Sequence, residues 1–272
     1  MIGDILRNVI KEQVPNKEVA VLLSGGVDSL STAFAASDVG KTVHAYSFHL
    51  DTNVSYDFQK AKDVAEHFGW QFTGVSIPTA NLKQDFHRLV ELECKKKTHF
   101  ECVYPFLYVY PEIKQDYVVS GWAADGYYGI SKKAVLHYKH TQELFDTFRD
   151  EYFKPENTAG YNWHKKVADR YNKIFITPYL TPEVKDFFYS KSWEELNIPH
   201  QKHHVRSAFE QFLSVGNVKK HLNLQIDCGI VNLFESLIED KDINFRNRTR
   251  IMDICRDWYT LNNTNTLERF ME

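Results

Sequence analysis

Short apolar runs, separated by amphipathic stretches, dominate the first half of the chain. The run VAVLL (19–23) is typical of a strand buried on both faces of a parallel sheet. Further strands are predicted at 42–48 (TVHAYSF), 71–77 (QFTGVSI) and 117–120 (YVVS). Because helices fill the intervals and the loops are short, we predict an α/β fold with a parallel, doubly wound sheet.

Helical spacing of apolar residues marks the intervals between these strands. Helices are predicted over 28–36, over 56–69 with Gly69 as the stop, and over about 81–97. A helix also fits the start of the chain, where one face collects Ile2, Ile5, Leu6, Val9 and Ile10.

The second half of the chain has a mostly helical pattern. Thr181 is predicted to be an N-cap, with Pro182 in the first helical position. Helices also fit the segments HHVRSAFEQFL, GIVNLFESLIE and RTRIMDICRDWY. We therefore predict an α/β domain over 1–140 and a mostly helical C-terminal lobe over 141–272.

Composition and charge narrow the classes of function. The 272 residues carry a net charge of −3, so no surface field that attracts nucleic acid is expected. The four cysteines form no CxxC pair, which argues against a zinc ribbon or a redox dithiol. No leader or membrane-spanning run is evident, and we expect a cytoplasmic protein with reduced thiols.

The segment SGGVDS (24–29) is the first stretch whose residue types indicate chemistry. Gly25 and Gly26 permit a tight turn and close approach of phosphate oxygens to backbone N–H groups, at the start of a helix. Ser24 and Ser29 add hydroxyl donors. Asp28 would repel a bare phosphate, so we expect it to hold Mg²⁺. Together these features predict a pyrophosphate-binding loop.

A second polar segment, SGWAADGYYG (120–129), follows the strand at 117–120. In parallel sheets, ligands bind beyond the carboxyl ends of the strands. Both segments lie at such ends, so we expect them to face the same crevice.

The first segment resembles the signature of the PP-loop ATP-pyrophosphatase superfamily, which has the adenine nucleotide alpha hydrolase-like fold. The second resembles a motif of the asparagine synthetases and β-lactam synthetases, roughly SGxGxDExxGG. Weaker resemblances to those synthetases lie in ITPYLTPEV, KHHVRSAF and KKHLNLQIDCGI. The resemblance spans about residues 15–235 and excludes the N-terminal glutaminase domain of asparagine synthetases.

The resemblance implies a site for ATP and Mg²⁺. Asp28 and Asp125 would hold the metal ion. The nucleotide would contact Ser24, Gly25, Gly26, Val27, Asp28, Ser29, Ser47, Phe48, Ser120 and Gly121. Candidates for the residues that stabilise charge on the phosphates are Lys202, Lys219, Lys220 and Arg206.

The activity implied is adenylation of a carboxylate, with aspartate as the family default, followed by amide formation and release of AMP and pyrophosphate. The nitrogen would come from free ammonia, a substrate amine, or a separate ammonia-supplying protein. This chain departs from the motifs at three positions, which weakens the expectation that asparagine is the product. It has Gly126 where the motif has Glu, Ala123 where the motif has Gly, and Thr181 where the motif has Asp. Two alternatives remain open, adenylation of a nucleobase in tRNA or another nucleic acid, and a catalytically decayed nucleotide-binding protein.

Overall fold

A single parallel sheet forms the centre of the protein. The computed structural model describes residues 1–94, 97–129, 141–154, 157, 159–213 and 227–235. The strands are β1 (Glu18–Leu22), β2 (Thr42–Leu50), β3 (Gln71–Ile77), β4 (Tyr117–Ser120) and β5 (Ile174–Ile176). They lie in the order β3-β2-β1-β4-β5, and every pair is parallel. The predicted α/β sheet is therefore confirmed.

Helices cover both faces of the sheet. They are α1 (Ile2–Gln13), α2 (Val27–Asp38), α3 (Tyr56–His67), α4 (Leu82–Glu91), α5 (Lys97–Val103), α6 (Phe106–Glu112), α7 (Gln142–Tyr152), α8 (Ala159–Arg170), α9 (Pro182–Tyr189), α10 (Trp193–Asn197), α11 (His203–Ala208), α12 (Glu210–Leu213) and α13 (Ile230–Glu235). Among these described helices, none is long and apolar enough to cross a membrane.

The central strand β1 shows why its sequence is an uninterrupted apolar run. Val19 and Val21 point into the core formed with α1, α2 and α9, whereas Ala20 and Leu22 point into the core on the opposite face. Because successive side chains of a strand alternate between faces, a strand covered on both sides must be apolar throughout.

The strand order places a ligand-binding crevice at the junction of β1 and β4. After β1 the chain builds outward through β2 and β3, and then crosses to the other side of β1 to form β4 and β5. At such a reversal ligands bind beyond the carboxyl ends of the strands, and here the loops that leave β1 and β4 lie against each other at that edge. These two loops carry the two segments singled out in the sequence.

The helix predicted over 81–97 ends earlier than expected. Helix α4 stops at Glu91, and Glu93 has a left-handed backbone conformation with φ 67°. The Glu93 N–H donates to the Val90 carbonyl and the Cys94 N–H to the Leu89 carbonyl. These two bonds form a Schellman motif, which closes a helix even without glycine.

The second half contains one strand that the sequence pattern did not reveal. Three-residue β5 pairs with β4 at the sheet edge, and it is too short to show a periodicity. Thr181 is the N-cap of α9, as predicted, although its hydroxyl donates to the Pro178 carbonyl instead of capping the helix. The helix predicted over HHVRSAFEQFL is divided into α11 and α12.

Three predictions for the second half reach beyond what the structure tests. For the helix predicted over GIVNLFESLIE, the structure describes only the part that forms α13 (Ile230–Glu235). The helix predicted over RTRIMDICRDWY lies outside the described residues. The division of the chain at residue 140 stays a prediction.

Candidate functional site

The turn between β1 and α2 lies at the N-terminus of α2. Gly25 adopts φ +70°, and a Cβ there would lie 3.2 Å from the Asp57 carbonyl oxygen, so glycine is needed on both grounds. The Ser29 hydroxyl donates to the Gly26 carbonyl at 3.0 Å and accepts from the Ser24 N–H at 3.2 Å. The loop is thus held in shape by its own serines.

The loop after β4 presses against this turn. A Cβ on Gly121 would lie 2.3 Å from the carbonyl carbon of Asp28, so only glycine lets the two backbones approach this closely. The sequence analysis expected Gly121 to contact the nucleotide; the neighbour that requires a glycine here is the backbone of the first loop. Two residues on, Ala123 has φ 74°, the conformation that the glycine of the resembled motif adopts without strain.

Lys202 joins the two loops at their acidic residues. Its Nζ lies 2.6 Å from Asp28 Oδ2 and 2.6 Å from Asp125 Oδ1. The Lys202 side chain is 16% exposed, that of Asp28 18% and that of Asp125 61%. Burial opposes the charged form of the lysine, but the two carboxylates outweigh it and raise the pKa of Lys202. One cation therefore sits between the two carboxylates that the sequence assigned to Mg²⁺.

The positions of Asp28 and Asp125 can be compared with the ligands that a metal ion needs. Among the described residues, no cluster of three or more His, Cys, Asp and Glu side chains is placed to hold a metal. Two carboxylates that converge on one cation suit Mg²⁺, which takes one or two protein carboxylates and completes its shell with phosphate oxygens and water. Asp28 and Asp125 are thus compatible with Mg²⁺ in the presence of a nucleotide.

A cavity of about 370 Å³ opens beside these loops at the carboxyl ends of β1, β2 and β4. Its size lies in the range of a single small-molecule ligand. The Ser47 hydroxyl in its wall is buried and has no hydrogen-bond partner among the described residues. Aromatic and apolar side chains make much of the remaining wall, among them Phe48, Phe106, Val109, Trp122 and Tyr152.

Gly126 replaces the glutamate of the resembled motif, and its place is filled by Tyr152 from α7. A Cβ on Gly126 would lie 2.2 Å from Cε1 of the Tyr152 ring and 2.9 Å from Cζ of Phe153. No side chain of any size fits at position 126 in this packing. The wall that faces the second loop is therefore aromatic where the motif would have a carboxylate.

A further buried lysine, Lys60, lies beside the first loop. Lys60 on α3 is only 6% exposed, and its Cγ is 3.2 Å from where a Cβ of Gly25 would sit. Burial lowers the pKa of Lys60, Asp57 raises it, and the nearby charge of Arg206 lowers it further. Lys60, with the Asp57 carboxylate nearby, thus places a positive charge beside the turn that we assigned to pyrophosphate.

Most of the predicted site residues come together around this cavity. Ser24, Asp28, Ser29, Ser47, Phe48, Ser120, Gly121 and Asp125 all line it, and Gly25, Gly26 and Val27 belong to the same turn. Of the lysine candidates, Lys202 contacts the acidic pair, whereas Lys219 and Lys220 lie outside the described residues.

Lys60, Tyr152 and His164 were not predicted to belong to the site. Lys60 had a signal, because it falls on the buried stripe of α3 with Asp57, Ala61 and Val64. Tyr152 and His164 reach the cavity through packing of α7 and α8, which leaves no local mark in the sequence.

The chain shows similarity to known proteins. A family model described as "Asparagine synthase" matches residues 2–215. A solved structure described as a predicted subunit of tRNA methyltransferase from Methanocaldococcus jannaschii aligns with a TM-score of 0.36 and 14% identity. That alignment covers 71% of this chain and 87% of the other. No curated protein sequence matches the chain.

Proposed function

The chain belongs to the asparagine synthase family, and from that premise we propose that it is an AMP- and pyrophosphate-forming ligase. Family membership indicates an ATP-dependent, amide-forming ligase in general terms. The finer proposal is that a carboxylate is adenylated and then passed to ammonia or an amine.

The observation that carries the proposal is the position of Lys202 between Asp28 and Asp125. The two carboxylates belong to loops 97 residues apart in sequence, and a single cation bridges them at the edge of the cavity. A site for one cation beside a helix N-terminus is what a metal-bound polyphosphate requires. When bound there, Mg²⁺ would neutralise phosphate charge, and Asp28 and Asp125 would hold it.

The chemical steps balance without any redox partner. A carboxylate oxygen of the acceptor attacks the α-phosphorus of ATP, the bond to the β-phosphate oxygen breaks, and pyrophosphate leaves. The amine nitrogen then attacks the acyl carbon, AMP departs, and the nitrogen loses a proton. Positioning and charge stabilisation are the contributions expected from the protein.

The cationic side chains take separate parts in this scheme. Lys202 would stabilise charge that develops at the α-phosphate as the acceptor attacks. The positive end of α2 at the Ser24–Ser29 turn, with the charge of Lys60 beside Gly25, would stabilise the pyrophosphate as it leaves. Oriented amides and fixed cations in a half-buried site need little rearrangement during the reaction, which is the main source of such stabilisation.

The acceptor and nitrogen source form the finer part of the proposal. Aspartate is the family default, and the nitrogen would come from ammonia, an amine, or a separate ammonia-supplying protein. The Tyr152 ring occupies the space beside Gly126, where the resembled motif has a glutamate. The part of the cavity wall that would contact the acceptor therefore differs from that of the motif, whose default acceptor is aspartate.

Phosphorus NMR of the protein with Mg·ATP and a small-metabolite extract tests the proposal. AMP and pyrophosphate should appear together, and Asp28→Ala should abolish both. Asp63→Asn is the matched control, because Asp63 is an exposed carboxylate on α3 away from the cavity, and it should turn over normally. Release of ADP and phosphate would contradict the proposal. AMP formation that requires added total RNA would instead assign the acceptor to nucleic acid.

A further inference from the structure

Helices α5 to α8 and the loop after β4 contribute one wall of the cavity, which we call the aromatic wall. It consists of four ring-bearing side chains and one thiol, those of Cys102, Phe106, Trp122, Tyr152 and His164. None of the five has a part in the phosphate chemistry proposed above.

Two rings of the aromatic wall are fixed against the loop that carries Asp125. A Cβ on Gly126 would lie 2.2 Å from Cε1 of Tyr152, so this ring packs directly on the residue after Asp125. A Cβ on Gly160 of α8 would lie 2.3 Å from Cζ2 of Trp122, so the indole fills the space that this glycine leaves. The aromatic wall therefore begins beside one member of the acidic pair.

The other members of the wall continue from these two rings. His164 lies one helical turn after Gly160, and its ring centroid is 4.1 Å from that of Phe106. Cys102 is near two members at once, because its charge acts on the pKa of Tyr152 and its backbone on the pKa of His164. The five side chains thus form one connected surface.

The titratable groups of the aromatic wall are uncharged at neutral pH. Burial raises the pKa of the Cys102 thiol to about 12. Burial, with the charge of Asp125 adding to it, raises the pKa of Tyr152 to about 12. Burial lowers the pKa of His164 to about 3. A ligand that lies against this wall therefore meets rings and a neutral thiol, and no ionic partner.

The charge elsewhere in the cavity is acidic. Among the described residues that line it, the charged side chains are Asp28 and Asp125. Lys202 lies 2.6 Å from each of them, so its charge is already matched by two carboxylates. An acceptor with a second carboxylate would bury that group against acids and neutral rings, which is unfavourable. A flat apolar body gains free energy against the same rings.

We propose that the acceptor is a monocarboxylic acid with an aromatic or other apolar body, which lies along the aromatic wall while its carboxylate faces the α-phosphate of ATP. This inference rests on the proposed function and names its substrate class. Trp122 and Tyr152 are then specificity-determining residues. Aspartate is a poor acceptor, because its side-chain carboxylate finds no free cation among the described residues of this wall.

A panel of acids tests the inference, with hydroxylamine in place of the native amine. The hydroxylamine nitrogen attacks the acyl adenylate, AMP leaves, and the nitrogen loses a proton, so each activated acid yields a hydroxamate that mass spectrometry quantifies. The full chain is supplied with Mg·ATP and, in turn, 3-phenylpropanoate, propionate, glutarate and L-aspartate. We expect kcat/KM for 3-phenylpropanoate to exceed those for glutarate and aspartate by about tenfold or more. Equal or higher values for aspartate or glutarate would overturn the inference.

Trp122→Ala assigns the preference to the aromatic wall. It should lower kcat/KM for 3-phenylpropanoate by about tenfold and leave that for propionate, which has no ring to pack, unchanged. A general loss of stability would lower both values alike. Trp163→Ala is the matched control, because Trp163 packs on His99 at 4.1 Å and is not among the described lining residues. An unchanged ratio of the two acids in a folded Trp122→Ala protein would overturn the assignment.

The outcomes separate this inference from the proposed function. If neither the panel nor the metabolite extract gives AMP and pyrophosphate, the ligase proposal itself fails. If the extract gives both products but 3-phenylpropanoate yields no more hydroxamate than aspartate, only the substrate class fails. Should Trp122→Ala not fold, the comparison of the four acids on the wild-type protein still decides the inference.

Discussion

The ring of Tyr152 occupies the space that any side chain on Gly126 would need. A Cβ on Gly126 would lie 2.2 Å from Cε1 of that ring. A side chain at position 126 and the Tyr152 ring therefore compete for the same space in the cavity wall. Tyr152 comes from α7, in the lobe that follows the second motif, so the wall of the site is completed by residues far along the chain.

Gly126→Ala is expected to lower the free energy of unfolding by about 1–3 kcal/mol, because the ring must move to admit a methyl group. Urea denaturation measures this cost. In a Tyr152→Leu background the cost should fall by at least half, since the obstructing ring is gone. Equal costs in the two backgrounds would contradict the coupling between these residues.

Lys202→Met is expected to strengthen binding of Mn²⁺ in the absence of nucleotide. The lysine occupies the position between Asp28 and Asp125, and its removal frees both carboxylates for a divalent ion. The expected gain is about tenfold, measured by electron paramagnetic resonance of free Mn²⁺. Lys185→Met, at an exposed position on α9, is the matched control and should leave Mn²⁺ affinity unchanged. Weaker Mn²⁺ binding by Lys202→Met would show that the acidic pair is not the ion site.

The parts of the site that could be predicted from the sequence are those made by contiguous residues at strand ends. SGGVDS follows β1, SGWAAD follows β4, and the rule that ligands bind at the carboxyl ends of parallel strands brings Asp28 and Asp125 together. Lys202 was one of three lysine candidates, and its contact with both carboxylates depends on the packing of α11 against α1 and α2. No local pattern distinguishes it from a surface lysine.

The parts that could not be predicted depend on tertiary contacts. His164 lies on a helix whose sequence, AGYNWHKKVADR, has no motif, and its role in the wall depends on contact with Phe106 of α6. The strand β5 has only three residues and exists because β4 offers it an edge to pair with. Early termination of α4 likewise depends on a left-handed Glu93, a conformation that composition alone does not forecast.

Acid is expected to destabilise the protein in part through His164. Burial lowers its pKa from 6.5 to about 3. Between these two pH values His164 is protonated in the unfolded chain but stays neutral in the folded chain. The stability contributed by the neutral ring is present above about pH 6.5 and is lost as the pH falls towards 3. His164→Phe removes this linkage. Between pH 6.5 and pH 5, wild type should lose about 1.6 kcal/mol more than the variant. Parallel loss in the two proteins would contradict a buried neutral histidine.

Ala123→Gly is expected to stabilise the protein. Ala123 has φ 74° and ψ −10°, where an L-residue is strained by about 1–2 kcal/mol and glycine is not. Glycine costs about 0.5–1 kcal/mol in extra entropy of the unfolded chain, so a net gain of about 0.5–1 kcal/mol is expected in the free energy of unfolding.

Ala124→Gly is the matched control, because Ala124 begins a short 3₁₀ turn and is buried, and it should destabilise. Opposite signs for these adjacent substitutions in urea denaturation would establish that the second loop keeps a glycine-like backbone with an alanine in place. A loss of stability in Ala123→Gly would mean that the methyl group of Ala123 contributes more by packing, at 6% exposure, than its backbone strain removes.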